Sequence, residues 1–416
     1  MIKLIEVKNY LCLRYVRQKI RPFQVLVGAN ASGKSAFLDV VALCRDILGE
    51  GLEEAITKTR APDWRDLFWM HEGDNFEFAI EVEIPEGIRT VLKKSYDTCR
   101  YELKIGLLIS IGETGIISEH LWLKTDTDTV NTPLNKEFFP LPPEPPDTIM
   151  AKPPKGWRGV VTKEPGRQQD YFNAETTGWR NPFKLGPQKS ALANLPEDET
   201  KFPVGTWLKQ FFKGGIQNLK LNSDVMRKPN PPGLPRVFRP DGSNLALVVK
   251  ELSELDDNRF QDWLAHVRTA LPDIRDIKAV EKPEDRHFYL KVVYETGVEV
   301  PSWLVSDGTL RMLALTLIAY LPELTGIFLI EEPENGIHPR AIETVYQSLS
   351  SVYGAQVLIA THSPLILGIA DIEDVLCFAK DAKGATDIVP GPAHPNLKDW
   401  SREVNLGTLF ASGVLN

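Results

Sequence analysis

The octapeptide GANASGKS, Gly28 to Ser35, follows directly on the apolar run Phe23 to Val27, and few patterns leave a chain so little choice of local structure. Glycines at 28 and 33 permit a backbone path whose amides turn inward on an anion, Lys34 adds a mobile cation, and the Ser35 hydroxyl can ligate Mg2+. A helix predicted from Lys34 to Leu48 aims its positive end at the same point. Strand, cradle and helix in this order predict an α/β fold that binds a nucleoside triphosphate such as ATP. Asn30, Ala31, Ser32, Gly33, Lys34 and Ser35 are the expected nucleotide-binding residues.

A chain of 416 residues with ordinary apolar content buries a sizeable core without difficulty. No apolar run reaches the length of a bilayer, and the N-terminus MIKLIEVKNY has strand character with no secretory core. Cys12, Cys44, Cys99 and Cys377 lack metal-ligand spacing, so neither a disulfide framework nor a zinc site is expected. These features predict a cytoplasmic protein without a membrane partner. The net charge of -8 argues against a general coat for nucleic acid. One stretch runs the other way: from Ala151 to Ser190, eight Lys or Arg stand against three Asp or Glu. With Trp157, Tyr171, Phe172, Trp179 and Phe183 interleaved, it either stacks on bases and meets phosphates, or folds as a small aromatic core with solvated charges.

Between these features the periodicity changes. FEFAIEVEI and YELKIGLLISI, within Asn75 to Leu123, alternate as strands with one wet face. Pro140 to Pro154 marks a linker or an extended edge. Residues from Pro203 to Leu271 look helical, with a proline-rich break at Pro229 to Pro235.

A second set of signals lies near the C-terminus. In the stretch Pro301 to Leu321 a polar turn precedes an apolar-periodic helix, placing Ser306 at a helix start suited to anions. The buried strand Ile327 to Ile330 ends in Glu331 and Glu332, two carboxylates that a core strand does not carry without a task. The strand Gln356 to Ala360 ends in Thr361, His362, Ser363 and Pro364.

Together, GANASGKS, the run Val305, Ser306, Asp307, Gly308, Thr309, the stretch EEPENGIHP and the late His362 resemble the ABC-type ATPases of the RecF-like and overcoming-lysogenization-defect branch. The resemblance implies an ABC-type P-loop ATPase head with an inserted β-rich arm and a helical lobe. The expected boundaries are 1–85 and 286–416 for the two parts of the head, 86–200 for the arm and 201–285 for the lobe. It makes Glu332 the base for the attacking water, His362 the group that senses the γ-phosphate, and Glu331 with Ser35 the residues serving Mg2+. Ser306, Asp307 and Gly308 become a signature contacting ATP held by another subunit. His338 falls in the loop that faces that subunit. The glutamine usual after the first helix is missing, with no Gln between Ser35 and Gln168, and His71 or Glu72 stands roughly in its place.

Phosphate loop and signature lie on opposite faces of such a head, so the resemblance implies a head-to-tail homodimer, or a higher oligomer, with ATP between subunits. Members of this branch often act with a nuclease. Only about fifty residues follow His362, too few for a fused nuclease domain, so the expected role is regulation of a separate effector, a nuclease or toxin, in anti-phage defence. A repair ATPase that clamps DNA directly is the alternative.

Overall fold

The computed structural model describes residues 1–108, 112–126, 137–153, 155–164, 170–397 and 405–415. The strands are β1 (Ile2–Tyr10), β2 (Leu13–Lys19), β3 (Phe23–Val27), β4 (Asn75–Glu83), β5 (Thr98–Leu108), β6 (Glu113–Lys124), β7 (Arg158–Lys163), β8 (Asp170–Asn173) and β9 (Arg180–Phe183). They continue with β10 (Ile216–Leu219), β11 (Ile274–Glu281), β12 (Phe288–Tyr294), β13 (Glu299–Pro301), β14 (Gly326–Glu331), β15 (Ala355–Thr361), β16 (Val375–Lys380) and β17 (Thr386–Pro390). The helices are α1 (Lys34–Gly49), α2 (Glu86–Arg89), α3 (Pro203–Gly215), α4 (Ser223–Met226), α5 (Leu245–Leu255), α6 (Asp257–Ala270), α7 (Asp307–Leu317), α8 (Pro339–Ser350), α9 (Pro364–Ile369) and α10 (Leu406–Ala411). They form two compact units, residues 1–216 with 373–400 and 415–416, and residues 217–372 with 401–414.

The first unit carries an antiparallel sheet in the order β2-β1-β4-β5-β6-β7-β8-β9. Strands β5 to β9 therefore extend the sheet that β1, β2 and β4 begin. Alternation decides what each face holds: Ile5, Ile80, Tyr101 and Leu121 stand opposite one another across four strands, all buried.

The other face departs from the expectation of a wet surface. Glu77, Glu81, Arg100, Glu102 and Lys124 are all buried on it. The proline-rich segment crosses this face as a strap: Ile149 N and Thr148 Oγ1 donate to Glu77 Oε2 at 2.7 and 2.8 Å, and Ala151 N donates to Glu102 Oε1 at 3.1 Å. Cations complete the compensation, with Arg100 reaching Glu102 at 2.6 Å, Glu6 at 2.7 Å and Glu81 at 3.2 Å, and Lys124 reaching Glu81 at 2.8 Å. Burial alone would depress the Arg100 guanidinium, but Glu6, Glu102 and Glu81 outweigh it and hold it above its ordinary value. A polar face goes under cover when its charges are paired and its lone pairs filled, and alternation in sequence does not distinguish that case from exposure.

Two cations of the basic segment also turn inward, while Lys152, Lys155, Arg180, Lys184 and Lys189 stay exposed. Arg158 donates to the carbonyls of Ala174 and Thr177, Lys163 is buried and donates to those of Gly186 and Lys189, and Phe172 stacks on Phe183 with centroids 4.0 Å apart. Of the two readings of this segment, these contacts favour the small aromatic core. Arg167 lies outside the described residues.

Glu175, in the same segment, closes the N-terminus of α3. Its carboxylate accepts from Val204 N at 2.7 Å and Gly205 N at 2.8 Å, two amides that a helix start leaves unpaired. Burial pushes its pKa up to about 7 although both bonds pull the other way. A carboxyl raised in this way contributes stability that is fully present below the ordinary carboxylate pKa and lost as the pH rises through about 7. Glu175→Gln should therefore flatten the fall in Tm between pH 5 and pH 8; a wild-type slope retained in the variant rules Glu175 out as its source.

In the same unit β16 runs parallel to β3, pairing Val25 with Val375 and Val27 with Cys377, and β17 returns antiparallel to β16. Helix α1 is buried on most of its sides, with Phe37 edge-on to Phe378 at 5.6 Å. The second unit holds β10, β14 and β15 as neighbours and a separate sheet in the order β11-β12-β13. Trp263 on α6 donates to Thr316 Oγ1 on α7 at 3.0 Å inside its core. Among the described residues no helix is long and apolar enough to cross a membrane.

Candidate nucleotide site

In the first unit the loop between β3 and α1 forms a cradle that tolerates little change. A Cβ at Gly28 would lie 2.3 Å from the Phe378 carbonyl oxygen, and one at Gly33, whose φ is +109°, would lie 2.4 Å from Thr386 Oγ1. Thr386 also donates to Ser32 O at 2.9 Å, so β17 braces the loop from a position that sequence reasoning did not single out. Lys34 is buried, and its ammonium is folded back onto Gly28 O at 2.7 Å and Ala29 O at 2.9 Å.

A cavity of about 610 Å³ opens over this loop, a size suited to a small-molecule ligand. Ala31, Ser32, Gly33, Lys34 and Ser35 line it, together with Leu11, Phe68, Trp69, Met70, His71 and Lys380. Asn30 is exposed on the loop, outside that lining. His71 is in the lining and Glu72 is not, its carbonyl accepting instead from Asn9 at 3.1 Å. The residues fit a bound triphosphate: the loop has room only for glycine at its two tightest points, the Ser32 hydroxyl is buried without a partner among the described residues, and a cation waits on carbonyls. Ser35, exposed at the start of α1 and in the lining, is the hydroxyl there suited to a divalent cation.

In the second unit the ends of two parallel strands bring the acidic and imidazole groups together. β14 pairs with β15 so that Glu331 stands opposite Ala360, and the residues that follow leave the sheet at the same end. Glu332 N donates to Ala360 O at 2.7 Å with Glu332 in a left-handed conformation, φ 48°. One of its oxygens lies 3.0 Å from His362 Nδ1, off the hydrogen-bonding line, and the other accepts from Asn335. Thr361 Oγ1 donates to Glu334 Oε1 at 2.5 Å and accepts from Ser363 N at 2.9 Å. Glu331 itself is exposed. His338 caps α8, its Nδ1 accepting from Arg340 N at 3.2 Å.

The signature residues lie in the same unit. Ser306 caps α7, accepting from Thr309 N at 3.2 Å, and both Ser306 and Asp307 are exposed. Arg227 pairs with Asp307 and donates to Val305 O at 2.9 Å; nothing in the local sequence pattern pointed to this brace. A Cβ at Gly308 would lie 2.3 Å from Gly336 O, so the first turn of α7 presses directly on the loop that follows the two carboxylates.

The model of the family described as "AAA domain, putative AbiEii toxin, Type IV TA system" matches residues 23–368. The chain is similar to the "Retron Vc95 probable ATPase" of Vibrio cholerae serotype O1 biovar El Tor, 20% identical over 401 residues that cover 90% of this chain and 72% of that protein. It is also similar to the Old nuclease of Escherichia phage P2, 34% identical over 216 residues, 47% of this chain and 35% of the nuclease. Among solved structures, the Smc head bound to the C-winged helix domain of ScpA superposes with a TM-score of 0.51 at 13% identity, covering 93% of this chain and 96% of that one. That likeness speaks to the fold alone.

Proposed function

The chain belongs to this AAA-domain family and is an ABC-type ATPase of the RecF-like and overcoming-lysogenization-defect branch, and from that premise we propose that it closes as a dimer around ATP and thereby controls a separate effector. The observation that carries the proposal is the junction of Gly308 with Gly336. Ser306 and Asp307 face outward where another subunit can reach them, and the turn they begin is in contact with the loop that holds Glu332 through Asn335. A phosphate arriving at Ser306 from a neighbouring subunit is thus felt at the catalytic carboxylate of this one.

The residues divide the work. The loop from Ala31 to Ser35 binds the triphosphate, with Lys34 exchanging its two carbonyl partners for phosphate oxygens. Glu332 orients the attacking water and takes its proton; His362, 3.0 Å away, steadies that carboxylate and reads the γ-phosphate end. Ser35 would hold Mg2+ and Glu331 would support it, and the ion would supply neutralising charge there. Signature and phosphate loop act in trans, so a subunit carrying Lys34→Ala and one carrying Ser306→Ala share one intact composite site. Mixing the two inactive variants should recover up to about one quarter of wild-type ATPase activity, since half of random dimers are mixed and each has one good site of two. No recovery in dimers shown to be mixed argues against a shared site.

The effector we infer is a nuclease or toxin in anti-phage defence. This reading is supported by the relatives, one named as a nuclease of a phage, one as a retron ATPase, and a family described by a toxin.

A further inference from the structure

Eight non-glycine residues have positive φ among the described residues, and they are not scattered evenly. Leu11, Ala31, Met70 and His71 all line the cavity above the phosphate loop. Asn9, a fifth, ties the turn at its mouth by donating to Glu72 O at 3.1 Å and Asn75 O at 2.6 Å. Ala31 belongs to the phosphate cradle, and Leu11 N donates to Leu67 O at 2.7 Å to join the other two turns. Met70 and His71 are consecutive left-handed residues, a conformation that side chains with a Cβ resist and that clusters at ligand clamps.

Met70 is unfavourable in a second way. Its side chain is 61% exposed, so the strained backbone gains no burial in return. Beside it, the Trp69 indole Nε1 is buried with no acceptor among the described residues. Folding alone gives no reason for an apolar side chain held out over a cavity by a strained turn; a ligand with an apolar face does. The cavity is divided in chemistry to match. Its lining holds both the phosphate loop, Ala31 to Ser35, and the apolar side chains of Leu11, Phe68 and Met70.

We propose that Leu11, Phe68 and Met70 form the base-side wall of the nucleotide site, with Met70 lying against the purine ring of ATP. The assignment rests on the reading of Gly28 to Ser35 as the phosphate cradle. Met70 covers a flat aromatic surface through its thioether and methylenes, and binding then buries what the free protein leaves exposed.

The test compares two ligands on the full chain by titration calorimetry with Mg2+ present: ATP, which has a base, and inorganic tripolyphosphate, which has none. Met70→Ala and Met70→Gly should each weaken ATP binding roughly tenfold, the value of burying one medium apolar side chain, and leave tripolyphosphate binding within about twofold of wild type. Glycine adopts positive φ without strain, so Met70→Gly should do this while raising Tm, which separates a lost contact from a damaged fold. Unchanged ATP affinity in both variants overturns the wall, as does equal weakening of the two ligands. A wild type that binds neither ligand overturns the cradle and the wall together, whereas normal tripolyphosphate binding with no Met70 effect on ATP overturns the wall alone.

Discussion

Lys34→Ala raises the ATP dissociation constant by roughly 100-fold or more. An ammonium that would donate to two phosphate oxygens is removed, and charge-assisted bonds contribute about 1.5 to 3 kcal/mol each. Lys380 lines the same cavity but does not belong to the loop, so it does not substitute for the lost cation. The free protein also loses something, since Lys34 bonds Gly28 O and Ala29 O inside the cradle. Measuring Tm without nucleotide separates that local loosening from the loss of binding. An ATP affinity within a few-fold of wild type would remove the phosphate-loop assignment, and with it the account of the whole first-unit site.

Glu332→Gln leaves ATP bound and slows hydrolysis by about 100-fold or more, within the range that a general base contributes. The substitution is close to silent for structure. Its backbone stays left-handed, its amide oxygen can accept from Asn335, and its NH2 can face His362 Nδ1. What disappears is the ability to accept the proton of water. Single-turnover hydrolysis and ATP titration on the same preparation give the two readouts. Because ATP persists, the variant should also accumulate as a dimer with ATP and return to the free state without it, as seen by light scattering. Hydrolysis at the wild-type rate would move the base away from Glu332.

The parts of the site legible in the sequence are those whose meaning is local. GANASGKS is a contiguous path between a strand and a helix, and the pair Glu331 and Glu332 closes an apolar run, so backbone chemistry and strand burial announced them without a fold. What stayed hidden was held by distance along the chain. Thr386 braces Ser32 across 354 positions, and Arg227 reaches Asp307 from just past α4, which no motif marks. The contact of Gly308 with Gly336 joins two motifs that were visible separately but not as one mechanical element. Alternation in FEFAIEVEI gave the strands and the division of faces; it could not reveal that a second segment supplies the missing half of a buried ionic layer. The basic stretch left two readings open for the same reason, since Lys163 and Arg158 look like surface charge until their carbonyl partners are placed.

The strap also says something about the order of assembly. Thr148, Ile149 and Ala151 bond to side chains of Glu77 on β4 and Glu102 on β5, and Ile149 O accepts from Arg100 at 3.1 Å. These partners are not in place together until β4 and β5 have paired, and until then the strap's amides are better solvated by water. Its seating is therefore expected to follow the pairing of those strands. Glu6, Glu81 and Arg100 must dehydrate at the same moment, since each is stable away from water only beside the others. This face closes cooperatively, as a latch that follows the sheet and then locks its register.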